Sequence, residues 1–385
     1  MSATVVDVSV RLFRTISRWD DSTGHKAPVD PHDVMMPIVS VKDSDGAAGY
    51  CLMRGNHLPR AVLADVVRPE LMGQDPLDRE RIWTALSRRQ RGGGGRLSDR
   101  GLGYVDQALW DLAGRKLGVP VWKLIGGARD KVPAYASTMC GDETPGGLST
   151  PEDYAHFATE LVSTGYQAIK LHTWMPPVSF APDLELDIRA CQAVREAVGP
   201  DVELMLDPYH WYTRLEARKL GRALEVLDFA WLEEPMDESS ISSYQWLAAE
   251  LDLPVLGPEM APGKLQTRAE WLAAGACDIL RAGVNDVGGI TPTLKIVHLA
   301  EAFGVDVEIH GPGSGNLAVV GGAGAGRWYE RALLHPHFDY DAVPPHLGSA
   351  IDPMDADGFV HMPSGPGLGD DLDLAYIEEN VTDAW

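Results

Sequence analysis

The sequence has few cysteines and no long apolar stretch. Its 385 residues include four cysteines (Cys51, Cys140, Cys191 and Cys277), and none belongs to a Cys-x-x-Cys pair. This spacing is typical of neither a zinc site nor a disulfide framework, so we expect a reduced, cytoplasmic setting. No run approaches the roughly 18 apolar residues that a membrane span needs, and the N-terminus lacks an apolar signal-peptide core. The sequence therefore predicts no membrane association.

Basic residues are scarce as well. Lys and Arg number 33 against 56 Asp and Glu, which gives a formal charge of −23. Such a surface repels nucleic acid, and we interpret the glycine-rich stretch 91–96, with an arginine at each end, as a solvated loop. Neither a Gly-x-Gly-x-x-Gly turn after an early strand nor a phosphate-binding Gly-x-x-x-x-Gly-Lys-[Ser/Thr] loop is present. These absences favour a small-molecule partner over a nucleic acid, a membrane or a nucleotide.

The first 130 residues have the pattern of an α+β domain. Alternating apolar residues predict strands at 6–12, 36–41 and 47–53, and helical spacing predicts helices at about 57–72, 76–90 and 99–117. A polar loop is predicted between the first two strands, and it contains Trp19 and His25.

From residue 132 onward, short apolar runs alternate with amphipathic helices. The seven predicted strands lie at 132–137, 168–171, 202–206, 229–232, 255–256, 279–281 and 305–309. Strands that alternate with helices indicate a parallel sheet with crossover connections. So many short buried strands favour a closed barrel, in which functional residues gather at the C-terminal ends of the strands.

Three acidic residues end consecutive predicted strands. Asp207, Glu233 and Glu259 are spaced 26 residues apart, which is one strand–helix unit each. Three carboxylates on one rim repel one another unless they are protonated or neutralised by a cation. An all-oxygen ligand set suits Mg²⁺, so we predict a magnesium site formed by these three residues.

Basic side chains are predicted near the same rim. Lys170 and His172 share one face of their strand, and Glu308 and His310 share a face of a later strand across the barrel. Removal of a proton next to a Mg²⁺-bound carboxylate needs a base within hydrogen-bonding distance. Lys170, His172 and His310 are the candidates.

With these residues in place, the chain resembles the enolase superfamily, and in particular its mandelate racemase and muconate lactonizing enzyme branch. The resemblance also rests on four further motifs: the helix at 108–118, Trp-Leu-Glu-Glu-Pro at 231–235, Gly-Gly-Ile-Thr at 288–291 and Pro-Gly-Leu-Gly at 366–369. It implies a (β/α)₇β barrel, a modified TIM barrel, at 131–345. An N-terminal α+β capping domain at 1–130 would be completed by a C-terminal segment at 346–385, and the protein would form a homo-oligomer.

The resemblance also implies roles for individual residues. Asp207, Glu233 and Glu259 match the metal ligands, with Glu234 as a neighbouring acid. Lys170 and His172 match a Lys-x-Lys pair, His310 matches the base on the opposite face, and Glu330 matches an acid that hydrogen-bonds a substrate carboxylate oxygen. Gly283 stands where family members place an Asp partner for the His; Glu308 could substitute for that Asp, and Arg281 could hold substrate.

The leading functional hypothesis is Mg²⁺-dependent dehydration of an acid sugar to a 2-keto-3-deoxy acid through an enediolate. Catalysis is assigned to Lys170, His172, His310 and Glu330. Tyr209 and His210 are candidate leaving-group acids and substrate contacts, and the capping loops around Trp19 and His25 are candidate specificity elements. The alternatives are a racemase, epimerase or cycloisomerase acting on a related acid, and a catalytically inactive sugar-acid binding protein.

Overall fold

A computed structural model of the chain describes residues 3–20 and 27–385 and contains two β-sheets. The smaller sheet is antiparallel, with strand order β13-β1-β2-β3. Its strands are β1 (Val5–Asp20), β2 (Ala27–Asp43), β3 (Ala48–Leu52) and β13 (Val381–Ala384). The last of these, β13, comes from the far end of the chain.

Five helices and a π-helical stretch accompany the small sheet. They are α1 (Arg60–Val62), the π-helical Leu63–Val67, α2 (Arg68–Leu71), α3 (Arg79–Gly92), α4 (Asp99–Leu117) and α5 (Val121–Ile125). Helix α4 begins where the Ser98 hydroxyl accepts the Gly101 N–H at 3.0 Å, and it ends at the left-handed Gly118. Gly49 of β3 permits close packing on α4, because an added Cβ would lie 2.1 Å from the Ala108 carbonyl oxygen.

The larger sheet has nine strands, and eight of them are parallel and form a barrel with strand order β10-β9-β8-β7-β6-β5-β4-β11. The strands are β4 (Lys131–Thr138), β5 (Ala168–His172), β6 (Glu203–Asp207), β7 (Trp231–Glu233), β8 (Val255–Gly257), β9 (Ile279–Ala282), β10 (Asp306–Ile309) and β11 (Tyr329–Leu334). The connecting helices are α6 (Pro151–Ser163), α7 (Leu184–Val198), α8 (Arg214–Val226), α9 (Ile241–Glu250), α10 (Lys264–Ala274), α11 (Ile290–Phe303) and α12 (Ser314–Ala323). A short strand, β12 (Phe359–His361), pairs with β4, and helix α13 (Leu374–Glu379) precedes β13.

The two end strands of this order, β10 and β11, are joined through side chains. The Arg327 N–H donates to the Glu308 carboxylate at 2.7 Å near the start of β11, and the Gly311 N–H donates to Glu330 at 2.8 Å. Inside the barrel, Tyr135, Ala168, Met205 and Trp231 belong to one buried cluster. Because side chains alternate along a strand, residues two positions further on also face the interior, now at the C-terminal rim.

The predicted fold class, a (β/α)₇β barrel with an N-terminal α+β domain, is confirmed by this topology. The polar loop predicted between the first two strands is mostly wrong, because β1 continues to Asp20 and β2 begins at Ala27, with registered pairs along both arms. The sequence pattern also missed β11 and α12. Within the described ranges, no helix has the length and hydropathy that a bilayer crossing requires.

The C-terminal segment is fixed to the small sheet at several points. Trp385 and Val10 exchange two backbone hydrogen bonds, at 2.8 and 3.0 Å, and the Trp385 indole donates to the Leu58 carbonyl at 2.8 Å. Upstream, buried His346 hydrogen-bonds the Thr15 hydroxyl at 2.8 Å through Nδ1 and lies edge-on to Phe13. The proposed boundaries at 130 and 345 remain predictions.

His346 makes the stability of this attachment depend on pH. Burial lowers its pKa to about 4, whereas an unfolded histidine titrates near 6.5. The stabilisation is therefore complete above about pH 6.5 and is lost as the pH falls towards 4, by about 3 kcal/mol in total. We expect the free energy of unfolding of His346→Asn, measured by urea denaturation, to fall less between pH 7.5 and 5 than that of the wild type. If the free energies of unfolding of the two proteins changed equally with pH, His346 would not be the group responsible.

Candidate metal centre and flanking histidines

Three acidic side chains meet at the C-terminal rim of the barrel. Asp207 ends β6, Glu234 follows β7 and Glu259 follows β8. One carboxylate oxygen from each lies within 4.8 Å of the others, and all three residues are buried. This is the kind of oxygen-only site that Mg²⁺ prefers.

The structure places Glu234, and not Glu233, in this group. Glu233 faces the barrel interior, where its carboxylate lies 3.0 Å from Lys170 Nζ and 2.8 Å from Arg281 Nε. At Glu234 the backbone turns into the left-handed region, with φ of 27°. Among the described residues, neither carboxylate oxygen of Glu234 meets a hydrogen-bond donor. Of the three predicted ligands, the structure therefore brings Asp207 and Glu259 together with Glu234, whereas Glu233 pairs with two cations.

The electrostatics of the cluster favour a bound cation. Burial, followed by the charges of Glu259 and Asp207, raises the pKa of Glu234 well above its ordinary value. Burial also raises the pKa of Glu259, to about 8, with further contributions from Glu233 and Asp207. At Asp207 the effect of burial is outweighed by His172 and Lys170, which hold its pKa low. A divalent cation that binds such carboxylates displaces their protons and neutralises their mutual repulsion.

His172 lies on the Asp207 side of the cluster and is 12% exposed. Its Nδ1 is 2.8 Å from the Thr138 carbonyl oxygen, and its Nε2 is 3.0 Å from the Asp207 carboxylate. A carbonyl oxygen can only accept, so the proton of a neutral His172 is on Nδ1. Nε2 is therefore the nitrogen directed at the site.

His310 lies on the Glu259 side and is oriented in the same way. Its Nδ1 is 2.7 Å from the Asp286 carboxylate, and its Nε2 is 3.2 Å from Glu259. Gly283 stands at the predicted position of the usual Asp partner, and Asp286, three residues further along the chain, contacts His310 in its place. A Cβ at Gly283 would lie 2.4 Å from the Asp286 carboxylate. The glycine at the expected Asp position is therefore what lets Asp286 reach the imidazole.

The proton on His310 is held firmly by its neighbours. Burial lowers its pKa, but the carboxylates of Glu259 and Asp286 outweigh that effect and raise it to about 9. From the capping domain, an Arg100 guanidinium nitrogen lies 3.7 Å from the other oxygen of Asp286. Helix α4 thus supports the loop that carries Asp286.

Lys170, Arg281 and Glu330 form a buried network below the cluster. Lys170 Nζ lies 3.0 Å from Glu330, and Arg281 donates to Glu330 at 2.7 Å. Burial lowers the pKa of Lys170, but Glu233 and Glu330 raise it well above its ordinary value. The two cations outweigh burial and hold the pKa of Glu330 well below its ordinary range. Lys170 therefore remains an ammonium and Glu330 a carboxylate.

The predicted alternatives around His310 lie elsewhere. Glu308 accepts the backbone N–H of Arg327 near the N-terminal end of β11 and does not orient His310. The side chain of Arg281 is fully buried and paired with Glu233 and Glu330 inside the barrel.

The predicted substrate contacts are only partly brought to the rim. The Tyr209 N–H donates to Asp207 at 2.9 Å, and burial together with Glu234 raises the pKa of Tyr209 to about 12. The His210 ring stacks at 4.2 Å on Tyr209. Trp19 lies 5.5 Å from the Arg54 guanidinium in the capping domain. His25 falls outside the described residues.

The sequence pattern did not identify two functional candidates, Glu234 and Asp286, for different reasons. The family resemblance gives Glu234 only as a neighbouring acid. A regular strand directs one of two adjacent side chains inward, and the sequence does not reveal the left-handed turn at Glu234. Asp286 lies beyond its strand in a loop, so strand alternation gives no information about it. Its one sequence signal is an acidic residue close to the end of a rim strand.

Comparison with known proteins agrees with this architecture. Residues 153–376 match the family described as enolase C-terminal domain-like, and residues 27–126 match the mandelate racemase/muconate lactonizing enzyme N-terminal domain. The chain is 32% identical to D-galactarolactone cycloisomerase of Agrobacterium fabrum, over 89% of this chain and 90% of that protein. It is 31% identical to L-talarate/galactarate dehydratase of Salmonella typhimurium, over 75% of this chain and 70% of that protein.

A solved structure of D-glucarate dehydratase from Agrobacterium tumefaciens, complexed with magnesium, superimposes with a TM-score of 0.97 at 56% identity. The alignment covers 99% of both chains. Together with the two family matches, this likeness shows that the chain belongs to the enolase superfamily, in its mandelate racemase/muconate lactonizing enzyme branch.

Proposed function

We propose that the protein is a Mg²⁺-dependent acid-sugar dehydratase that converts a sugar diacid to its 2-keto-3-deoxy product. The main observation is that two histidines, each with Nε2 directed inward, lie on either side of the carboxylate cluster. Dehydration requires one group that removes the α-proton and one that protonates the departing β-hydroxyl. The likeness to D-glucarate dehydratase supports a hexarate as substrate.

We infer that Asp207, Glu234 and Glu259 hold the Mg²⁺. Their fit rests on the mutual distances and on the buried Glu234 carboxylate, which meets no donor in the described chain. A bound Mg²⁺ supplies positive charge that acidifies the proton α to a neighbouring carboxylate and stabilises the deprotonated acid.

The proton transfers are assigned to the two imidazoles. One Nε2 takes the C2 proton, and the electron pair of that C–H bond is first held by the substrate carboxylate as an enediolate. The pair then forms the C2–C3 double bond as the C3–O bond breaks. The other imidazole, in its protonated form, gives its proton to the leaving hydroxyl, which departs as water. The resulting enol tautomerises to the 2-keto-3-deoxy acid. The positive charge of protonated His310 is stabilised by Asp286 at 2.7 Å.

Lys170 and Glu330 have supporting roles in this scheme. A Lys170 ammonium paired at 3.0 Å with two carboxylates is a poor base, so we assign it to electrostatic stabilisation of the substrate carboxylate. An ionised Glu330 cannot donate a proton, and we assign it to holding Lys170 and Arg281 in place.

A cycloisomerase is the second candidate, because the chain is 32% identical to D-galactarolactone cycloisomerase. The two activities differ in their substrates, since a cycloisomerase acts on the lactone and loses no water. The relatives are named as dehydratases and a cycloisomerase, which favours an active lyase or isomerase over the inactive binding protein. The homo-oligomer stays a prediction that sedimentation would test.

The experiment is an assay of D-glucarate, galactarate, L-talarate and the lactone of galactarate with Mg²⁺ in excess over the protein. We expect at least one diacid to yield a 2-keto product that semicarbazide traps, and EDTA to abolish its formation. In D₂O the product should carry deuterium at C3. Conversion of the lactone without a diacid reaction would establish the cycloisomerase instead, and activity that survives EDTA would contradict the metal assignment.

A further inference from the structure

The loop that carries Glu259 is held from one side by a buried carboxylate. This loop, residues 258–261, is called here the Glu259 loop. Glu238, which is 7% exposed, accepts three successive backbone N–H groups: those of Glu259 at 2.5 Å, Met260 at 2.7 Å and Ala261 at 2.9 Å. Every backbone donor of this short stretch therefore points at one side chain.

The backbone carbonyl oxygens of the same loop are held by a buried guanidinium. Arg268 of α10, 1% exposed, donates to the carbonyl oxygens of Pro258 at 3.1 Å, Glu259 at 2.6 Å and Ala261 at 2.7 Å. Buried backbone groups are costly when unpaired. In the Glu259 loop, the Glu238 carboxylate accepts all three backbone N–H groups, and the Arg268 guanidinium donates to three of the four carbonyl oxygens.

This arrangement has a consequence for Glu259. Its carboxylate lies among other buried acids, whose mutual repulsion favours outward rotation of the side chain. A loop fixed through both its N–H and C=O groups resists that displacement. Glu238 follows Glu234 by four residues, and the segment between them is anchored by Tyr244, whose hydroxyl bonds both the N–H and the carbonyl of Met236. The segment after β7, which carries Glu234, thus also fixes the loop that carries Glu259.

We propose that Glu238 and Arg268 are positioning residues for the metal centre, which hold the Glu259 carboxylate in place for a divalent cation. They touch neither substrate nor metal and act through the backbone of the Glu259 loop. This inference rests on the proposed magnesium site and names residues outside it.

The test measures Mg²⁺ affinity by calorimetry, without substrate, in wild type and Glu238→Gln. We expect the Kd to rise about 10- to 100-fold, as for the loss of other outer-shell partners of metal ligands. Hydrogen exchange in the peptide 257–262 should accelerate, with and without Mg²⁺. Asp142→Asn is the matched control: this carboxylate also accepts two loop N–H groups, from Thr144 and Leu148, in a loop after β4. Its Kd should stay within twofold of wild type.

The outcomes separate the two claims. Wild-type Mg²⁺ binding with an unchanged Kd in folded Glu238→Gln would overturn the positioning role and leave the proposed function intact. If that variant does not fold, Glu238→Asp and Arg268→Lys are measured in its place, and unchanged affinity in both would overturn the proposal equally. Wild-type protein that binds no Mg²⁺ would refute the magnesium site, and the positioning role with it.

Discussion

Glu234→Gln is expected to weaken Mg²⁺ binding by about 100-fold or more, because changes in outer-shell residues alone typically cost 10- to 100-fold. Glutamine keeps the shape of the side chain and removes its charge. Since Glu234 is buried and neither of its oxygens meets a donor in the described structure, its loss leaves no hydrogen-bonding network to collapse. Calorimetric titration with Mg²⁺ would measure the effect, and thermal unfolding without metal should show an unchanged or higher Tm as repulsion in the cluster falls.

Glu233→Gln is the matched control on the adjacent residue. Glu233 lies 3.0 Å from Lys170 and 2.8 Å from Arg281, so removing its charge leaves two buried cations undercompensated, at a cost of about 3–5 kcal/mol. We expect a clear loss of stability with Mg²⁺ affinity within about tenfold of wild type. The reverse pattern, with affinity lost in Glu233→Gln and kept in Glu234→Gln, would return the ligand assignment to Glu233.

Asp286→Asn is expected to lower kcat by about 10²–10⁴, the range over which a positioned proton-transfer group contributes. Asparagine can present its amide NH₂ to Nδ1 of His310, which favours the tautomer with the proton on Nε2 and blocks its action as a base. His310→Asn should give a loss of similar size, and the double variant little more, because the two residues act as one unit. Steady-state kinetics on the diacid identified as substrate would measure these effects.

Gly283→Ala provides a finer test of the same pair. The added methyl group would lie 2.4 Å from the Asp286 carboxylate and must displace it, so we expect a loss of kcat in a folded protein. Gly92→Ala is the control, since no described atom lies within 4 Å of the added Cβ there. Activity of Asp286→Asn within threefold of wild type would show that the Asp286–His310 contact does not serve catalysis.

Much of the fold follows from periodicity. The helix predicted at 99–117 matches α4 residue for residue, and the seven predicted barrel strands correspond to β4 through β10. Strand β11 was missed because Trp328 to Leu334 carries Glu330 and Arg331, charges that a buried strand seldom contains. Glu330 is paired inside the barrel with Lys170 and Arg281, and Arg331 is paired with the exposed Asp341. Such contacts come from elements far apart in sequence, so no local pattern reveals them.

The site was predictable where it depends on strand ends and not where it depends on loops. Asp207, His172 and His310 follow from alternation, since each ends a strand or immediately follows one. The choice between Glu233 and Glu234 depends on a single left-handed residue and on two cations from other strands. The partner of His310 depends on a loop whose path a glycine permits, which only the three-dimensional structure shows.

The pairing of β13 with β1 also bears on the order in which the protein is assembled. The ribosome delivers β1, β2 and β3 first, yet the outer neighbour of β1 emerges only after every barrel strand has been made. Throughout synthesis, Arg11 to Phe13 present the free strand edge that β13 later covers, and free edges invite pairing with other chains. The nascent protein therefore exposes this strand edge until β13 has been made, and the pairing of β13 with β1 removes it.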